Sequence, residues 1–302
     1  MNQEILNAIE QKYLALGENP EIYLKGLLET KLITYWDYIQ TDTLLSLQKP
    51  RTEHPDEEIF IMYHQVTELV LKLMIHEIKQ ISGNYIPEEK TLIQKLTRLC
   101  RYTGLLINSF DIMRVGMDYD QYNIFRNALT PASGFQSAQF REVEILCTPL
   151  INLIHERKRE KLGNNPGIRD YFQQVYWKDA GHNPETNKIT MTLQQFEKKY
   201  LDQFVLWAEN IEGNTVADKL KQILDGASDE LKKAAKQFDK TYNIEWPLVH
   251  LQTAQHFLDS KGEQKTATGG SEWKKYLHPK FQRRMFFPFL YSEAELNTWG
   301  ED

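Results

Sequence analysis

Cysteine is nearly missing from this chain: only Cys100 and Cys147 occur, far apart and without a CxxC pair. Two such isolated cysteines are expected to be buried thiols in a reducing compartment rather than a disulfide or zinc framework. Glycine and proline are also scarce, 15 and 11 of 302 residues, which leaves few obligatory turns and favours long helices. No run of eighteen apolar residues exists, so no membrane-spanning helix is expected. The opening stretch MNQEILNAIEQKY carries charge early and holds no apolar signal segment, and a cytoplasmic location is expected by default. Positive charge is not in excess either. Lys and Arg number 36 against 42 Asp and Glu, a net charge of -6, so neither nucleic acid nor an anionic membrane surface is an expected partner. HExxH, a glycine-rich phosphate loop and a nucleophile elbow are all absent.

What the chain does have is helical periodicity and many aromatic residues, among them 15 Tyr and 14 Phe. Residues 57–80 are apolar on nearly every face, the pattern of a helix enclosed by others. Residues 90–114 set Leu92, Leu96, Leu99 and Leu105 at turn-like spacing. The stretch SAQFREVEILCTPLINLIHERK starts a third long helix that Pro149 bends. Two polar, amphipathic helices are expected within 189–211 and 217–242. Alternating strand patterns are almost absent, so the expected fold class is all-α, a helical bundle with long crossovers. The whole of 1–302 reads as one domain. Residues 161–186, with Gly163, Pro166, Gly181 and Pro184, form a candidate excursion or small insertion.

Chemistry must come from scattered residues. His64 lies one turn beyond Phe60 in the most apolar helix. Stranding a buried imidazole costs about 1–3 kcal/mol, so it is either a core histidine with a satisfied partner or a ligand-binding group. His250, in WPLVHLQTAQHFL, has the same two readings, the second being a haem axial ligand. His256, six positions on, faces another way. Tyr122 and Arg126 are four apart, and a guanidinium fork with a phenol one turn away suits a carboxylate; an ion pair with a neighbouring helix is the plainer alternative. TATGGS at 266–271 is either a mobile turn or a close-approach loop for a charged ligand. TPASGFQSAQFREVE at 130–144 is unusually specific for a helix corner.

Four blocks, YWDYIQTDTLLSLQKP, FIMYHQVTEL, YNIFRNALTPASGFQSAQFREVE and the late pair of His250 with TGGS, resemble the tryptophan 2,3-dioxygenase family in that order. The resemblance covers most of 30–290. It implies an all-helical homotetramer with one haem b per subunit, which inserts both atoms of dioxygen across the indole C2–C3 bond of L-tryptophan to give N-formyl-L-kynurenine. It implies His250 as the proximal iron ligand, with Ser137 and Gly269 beside the cofactor. His64 would be the distal catalytic residue near the indole N–H, and Phe60 would pack on the ring. Tyr122 and Arg126 would receive the carboxylate, and Thr268 would sit by the ammonium. Tyr35, Tyr38 and Ile39, in a segment of about residues 1–50, would complete a neighbouring subunit's pocket. The corner would fix the Arg126 helix against the haem cavity. His250 and Thr268 stand eighteen positions apart, GSEWKK replaces the family's GSSG, Val249 precedes the ligand where Arg is usual, and Tyr63 precedes His64. These departures keep open a related haem oxygenase acting on a substituted tryptophan or another aromatic amino acid. A non-enzymatic haem sensor or helical scaffold is the third reading.

Overall fold

The computed structural model describes residues 2–129, 136–183, 188–259, 274 and 277–301. The chain divides into two compact units, Met1–Gln48 and Lys49–Asp302. In the first unit, α1 (Gln3–Ala15) and α2 (Pro20–Glu29) are capped by Asn2 and Asn19 and joined by stacking of Tyr13 on Tyr23 at 4.2 Å. Two short helices follow, α3 (Tyr35–Ile39) and α4 (Thr41–Leu44). None of these four helices contributes a buried residue.

The second unit is built around α6 (Glu89–Arg114), which packs on α5 (Asp56–Ile78), α13 (Asp229–Lys240) and α14 (Trp246–Asp259). Leu92, Leu96, Leu99 and Leu106 of α6 meet the core with Leu71, Met74 and Ile78 of α5. Each fully buried leucine stabilises by about 1.5–3 kcal/mol. Between them, α7 (Tyr119–Phe125) runs into a 3-10 turn, Arg126–Leu129. The remaining helices are α8 (Ala138–Cys147), α9 (Glu156–Arg159), α10 (Ile168–Gln174), α11 (Met191–Ile211) and α12 (Val216–Ile223). Among the described residues the strands are a two-residue antiparallel pair, His182–Asn183 with Lys188–Ile189, so the class is all-α as expected. No described helix is long and apolar enough to cross a membrane. Cys100 and Cys147 are free thiols, and burial pushes the Cys147 pKa well up.

Four expectations change. Pro149 ends the third helix instead of bending it, because Thr148 before it is forced into extended backbone (φ -152, ψ 152) and a 3-10 turn follows. The expected helix over 217–242 is two, parted at Leu224–Gly226, after which the Ser228 hydroxyl caps α13 by accepting the Leu231 N–H. α5 is not enclosed on every face: Met62, Val66, Leu69 and Leu73 form a stripe 41–49% exposed. Part of the expected excursion is core, since Phe172, Val175, Tyr176 and Trp177 are all buried.

Two polar clusters brace this unit. Glu144 accepts from Arg141 (2.9 Å), Arg284 (2.7 Å) and the Tyr176 hydroxyl (2.5 Å), all within the core. Arg141 and Glu144 belong to the REVE half of the corner motif. Asp239 accepts the backbone N–H groups of Phe286 (2.8 Å) and Phe287 (3.0 Å) and the Asn243 amide (2.6 Å). That last bond reaches into a π turn, Thr241–Glu245, which joins α13 to α14. The wide turn accommodates Pro247, which has no N–H and whose ring would crowd the carbonyl four residues back.

Candidate functional site

α5 and α7 bring three expected residues together. The Phe60 and His64 rings are 4.1 Å apart, and Phe60 lies 6.3 Å from Tyr122 and 6.0 Å from Phe125. His64 Nδ1 lies 2.7 Å from the Phe60 carbonyl. A carbonyl only accepts, so Nδ1 carries the hydrogen and Nε2 presents a bare lone pair. Burial lowers the His64 pKa, against smaller opposing effects of that hydrogen bond and Glu68, and keeps the ring neutral.

His250 stands on α14, three residues after Pro247. Its ring stacks on Phe110 at 5.5 Å and 29°. Phe110 in turn lies 5.7 Å from Tyr63, whose ring meets His64 edge-on at 5.2 Å. Burial, and secondarily electrostatic coupling to nearby His64, drives the His250 pKa down to about 4, yet the side chain is exposed to solvent contact. The imidazole is thus surrounded at long range and bare at contact range. Neither of its nitrogens meets a hydrogen-bond partner among the described residues. Nor do three His, Cys, Asp or Glu converge on one point among those residues. A neutral imidazole with unspent nitrogens fits an iron that brings its remaining ligands in a porphyrin.

Arg126 is 8% exposed at the start of its 3-10 turn, where its backbone N–H bonds the Tyr122 carbonyl. Tyr122 also packs on Phe257 of α14 at 4.3 Å. The Asn123 amide donates to the Phe257 carbonyl at 3.4 Å, tying the Arg126 segment to the helix of His250. Ser137 Oγ caps α8 by accepting the Phe140 N–H at 3.1 Å, which leaves its own hydroxyl hydrogen to donate. His256 packs on Tyr119 and Phe257, away from His250 as its spacing predicted. Tyr35, Tyr38 and Ile39 lie exposed on α3 of the first unit. Thr268, Gly269 and the corner residues 130–135 lie outside the described residues.

Sequence reasoning missed Phe110 and Phe257. Phe110 continues the apolar stripe of α6, which marks it as core; only the crossing of α6 with α14 makes it a wall for His250.

Residues 26–271 match the family model described as Tryptophan 2,3-dioxygenase. The chain is 28% identical to a tryptophan 2,3-dioxygenase of Bacillus thuringiensis subsp. konkukian (strain 97-27), over 92% of this chain and 98% of that protein. It is 27% identical to that of Bacillus anthracis over the same shares. A shorter stretch, 38% of this chain and 41% of the relative, is 37% identical to the tryptophan 2,3-dioxygenase of Bradyrhizobium sp. (strain BTAi1 / ATCC BAA-1182).

Proposed function

The chain belongs to the tryptophan 2,3-dioxygenase family, and on that premise we propose that it oxidises L-tryptophan to N-formyl-L-kynurenine with dioxygen. Family membership implies a haem cofactor, and we assign haem b, whose iron His250 would hold. Haem supplies the iron at which dioxygen is activated. The observation that carries the reading is His250 itself: a neutral imidazole stacked on Phe110, with neither nitrogen hydrogen-bonded among the described residues and His64 nearby.

The chain's own residues bind and orient the substrate. His64, fixed by Phe60 with Nε2 as acceptor, takes the indole N–H, and the Phe60 ring packs against the indole face. A zwitterion in an apolar pocket needs both charges matched. Arg126 and Tyr122 receive the carboxylate through charge-assisted bonds, and Thr268 would serve the ammonium. Ser137 and Gly269 would help to hold the cofactor, with the Ser137 hydroxyl as a donor. Tyr35, Tyr38 and Ile39 reach the pocket of a neighbouring copy in a homotetramer. An assembly of this kind covers the apolar side chains that one copy leaves bare, including Leu28 and Leu32, which are 83% and 92% exposed.

The test is to mix reduced, haem-loaded protein with L-tryptophan and oxygen and follow N-formylkynurenine by absorbance and mass. Haem-loaded protein that consumes no oxygen with tryptophan refutes the assignment.

A further inference from the structure

Residues 51–57 grip the α7 segment at both ends. At its start, the Asp118 N–H donates to Asp56 Oδ2 at 2.5 Å, and the Asp56 N–H reaches Gln121 Oε1 at 3.4 Å. Past its end, Arg51 Nη1 donates to the Ala128 carbonyl at 3.2 Å. Tyr122 and Arg126 lie between these two anchors. The grip is joined to α5 by Glu57, which is 1% exposed. One Glu57 oxygen accepts the Arg51 N–H at 2.8 Å; the other accepts the Thr52 N–H at 2.8 Å and the Thr52 hydroxyl at 2.5 Å. Burial alone would raise the Glu57 pKa, but the bonds from Thr52 and Arg51 outweigh it and hold the carboxyl below the usual range. The charged form is therefore the one built into the fold.

We propose that Glu57 and Arg51 are positioning residues that set the distance between the Arg126 turn and the Phe60–His64 face of α5. Phe60 lies one turn of helix beyond Glu57, so a single rigid piece carries the ring-binding face and the strap that spans α7. An amino acid held at both ends requires that distance to be fixed. Tryptamine, which has an amine but no carboxylate, does not. The inference rests on the proposed reading of Arg126.

The experiment measures kcat/KM for L-tryptophan and for tryptamine in haem-loaded wild type, Arg51→Ala, Arg51→Lys, Glu57→Gln and Arg126→Ala. Haem content and Tm are followed in parallel. Losing the Ala128 contact in Arg51→Ala should lower the tryptophan-over-tryptamine ratio about three- to tenfold, the scale of one hydrogen bond, with the Soret spectrum unchanged. Arg51→Lys still offers one donor to a carbonyl and should restore most of the ratio. Glu57→Gln, which turns an N–H toward a donor, should lower the ratio further. If it fails to fold, the Arg51 pair still decides. A merely structural role would lower Tm and leave the ratio alone. If Arg126→Ala abolishes the preference while Arg51→Ala and any folded Glu57→Gln retain it, the positioning role is overturned alone. If Arg126→Ala itself retains the preference, the carboxylate reading falls and the inference with it.

Discussion

Phe110 stacks on His250 with ring centres 5.5 Å apart and planes 29° from parallel. The contact restricts rotation of the imidazole while leaving its nitrogens unspent. His250→Ala should fold, give a helical circular dichroism spectrum and hold haem poorly, without the native Soret band. His256→Ala should keep both haem and spectrum; the reverse pattern would move the ligand to His256. Phe110→Ala should retain the ligand but loosen it, at a stability cost of about 3–5 kcal/mol for a buried aromatic.

Arg126→Ala should erase most of the preference for L-tryptophan over tryptamine, a loss of about 1.5–3 kcal/mol in transition-state binding. Arg126→Lys should fail similarly, since an ammonium cannot reproduce the planar fork. Tyr122→Phe removes one neutral partner and should cost less. The ratio of the two kcat/KM values is the readout, and an undiminished preference in Arg126→Ala would return Arg126 to a structural role.

Assembly can be tested through Leu32. Replacing a side chain 92% exposed in one copy should cost a monomer no more than about 0.5 kcal/mol. In a tetramer that buries it, Leu32→Asp should lower the sedimentation coefficient and the activity together. A fully active wild-type monomer would rule the tetramer out.

Asp239 gives a pH dependence of definite sign. Burial raises its carboxyl to about 6 from the ordinary 3.8, against the lowering effect of its hydrogen bonds. Between those values the native state keeps a proton that the unfolded chain has released. Unfolding free energy should therefore fall as pH rises from about 4 to 6, on the order of 3 kcal/mol in total. Denaturant titrations at pH 4.5 and 7 should show this component in wild type and not in Asp239→Asn. An infrared carboxylic-acid band that disappears near pH 6 only in wild type would confirm the group.

The long helices were legible because periodicity is local. α6 ends where its apolar spacing ends, at Arg114, and the spacing of His250 and His256 correctly turned them to different surroundings. Breaks were harder to read: Pro149 excludes helix only through the residue before it, and Gly226 with Ser228 acts as a stop followed by a new cap. Arg141 and Glu144 belonged to a motif that sequence reasoning attached to a pocket corner. Their partners Tyr176 and Arg284 lie far along the chain, and no local pattern announces such a cluster. The bare stripe from Met62 to Leu73 was read as core because an apolar side chain looks the same whether its cover is its own chain or another. Phe60, His64 and Tyr122 are legible as candidates, and the structure sets Phe60 4.1 Å from His64 and 6.3 Å from Tyr122. The hydrogen bonds that tie residues 51–57 to α7 and Ala128 leave no periodic trace.

The π turn at Thr241–Glu245 works like slack in a ruler. Upstream, Asp239 must meet the chain at Phe286 and Phe287; downstream, His250 must face Phe110. An unbroken α-helix of the same sequence would satisfy one requirement and swing the other by about 100°. The wide turn absorbs the one residue by which the two measures disagree. Removing a single codon there would leave both faces aligned, at the cost of the crowding by Pro247 that the wide turn relieves, whereas removing one between Pro247 and His250 would bring Leu251 into the place of the histidine. Two deletions of equal size, a few residues apart, would thus have opposite fates.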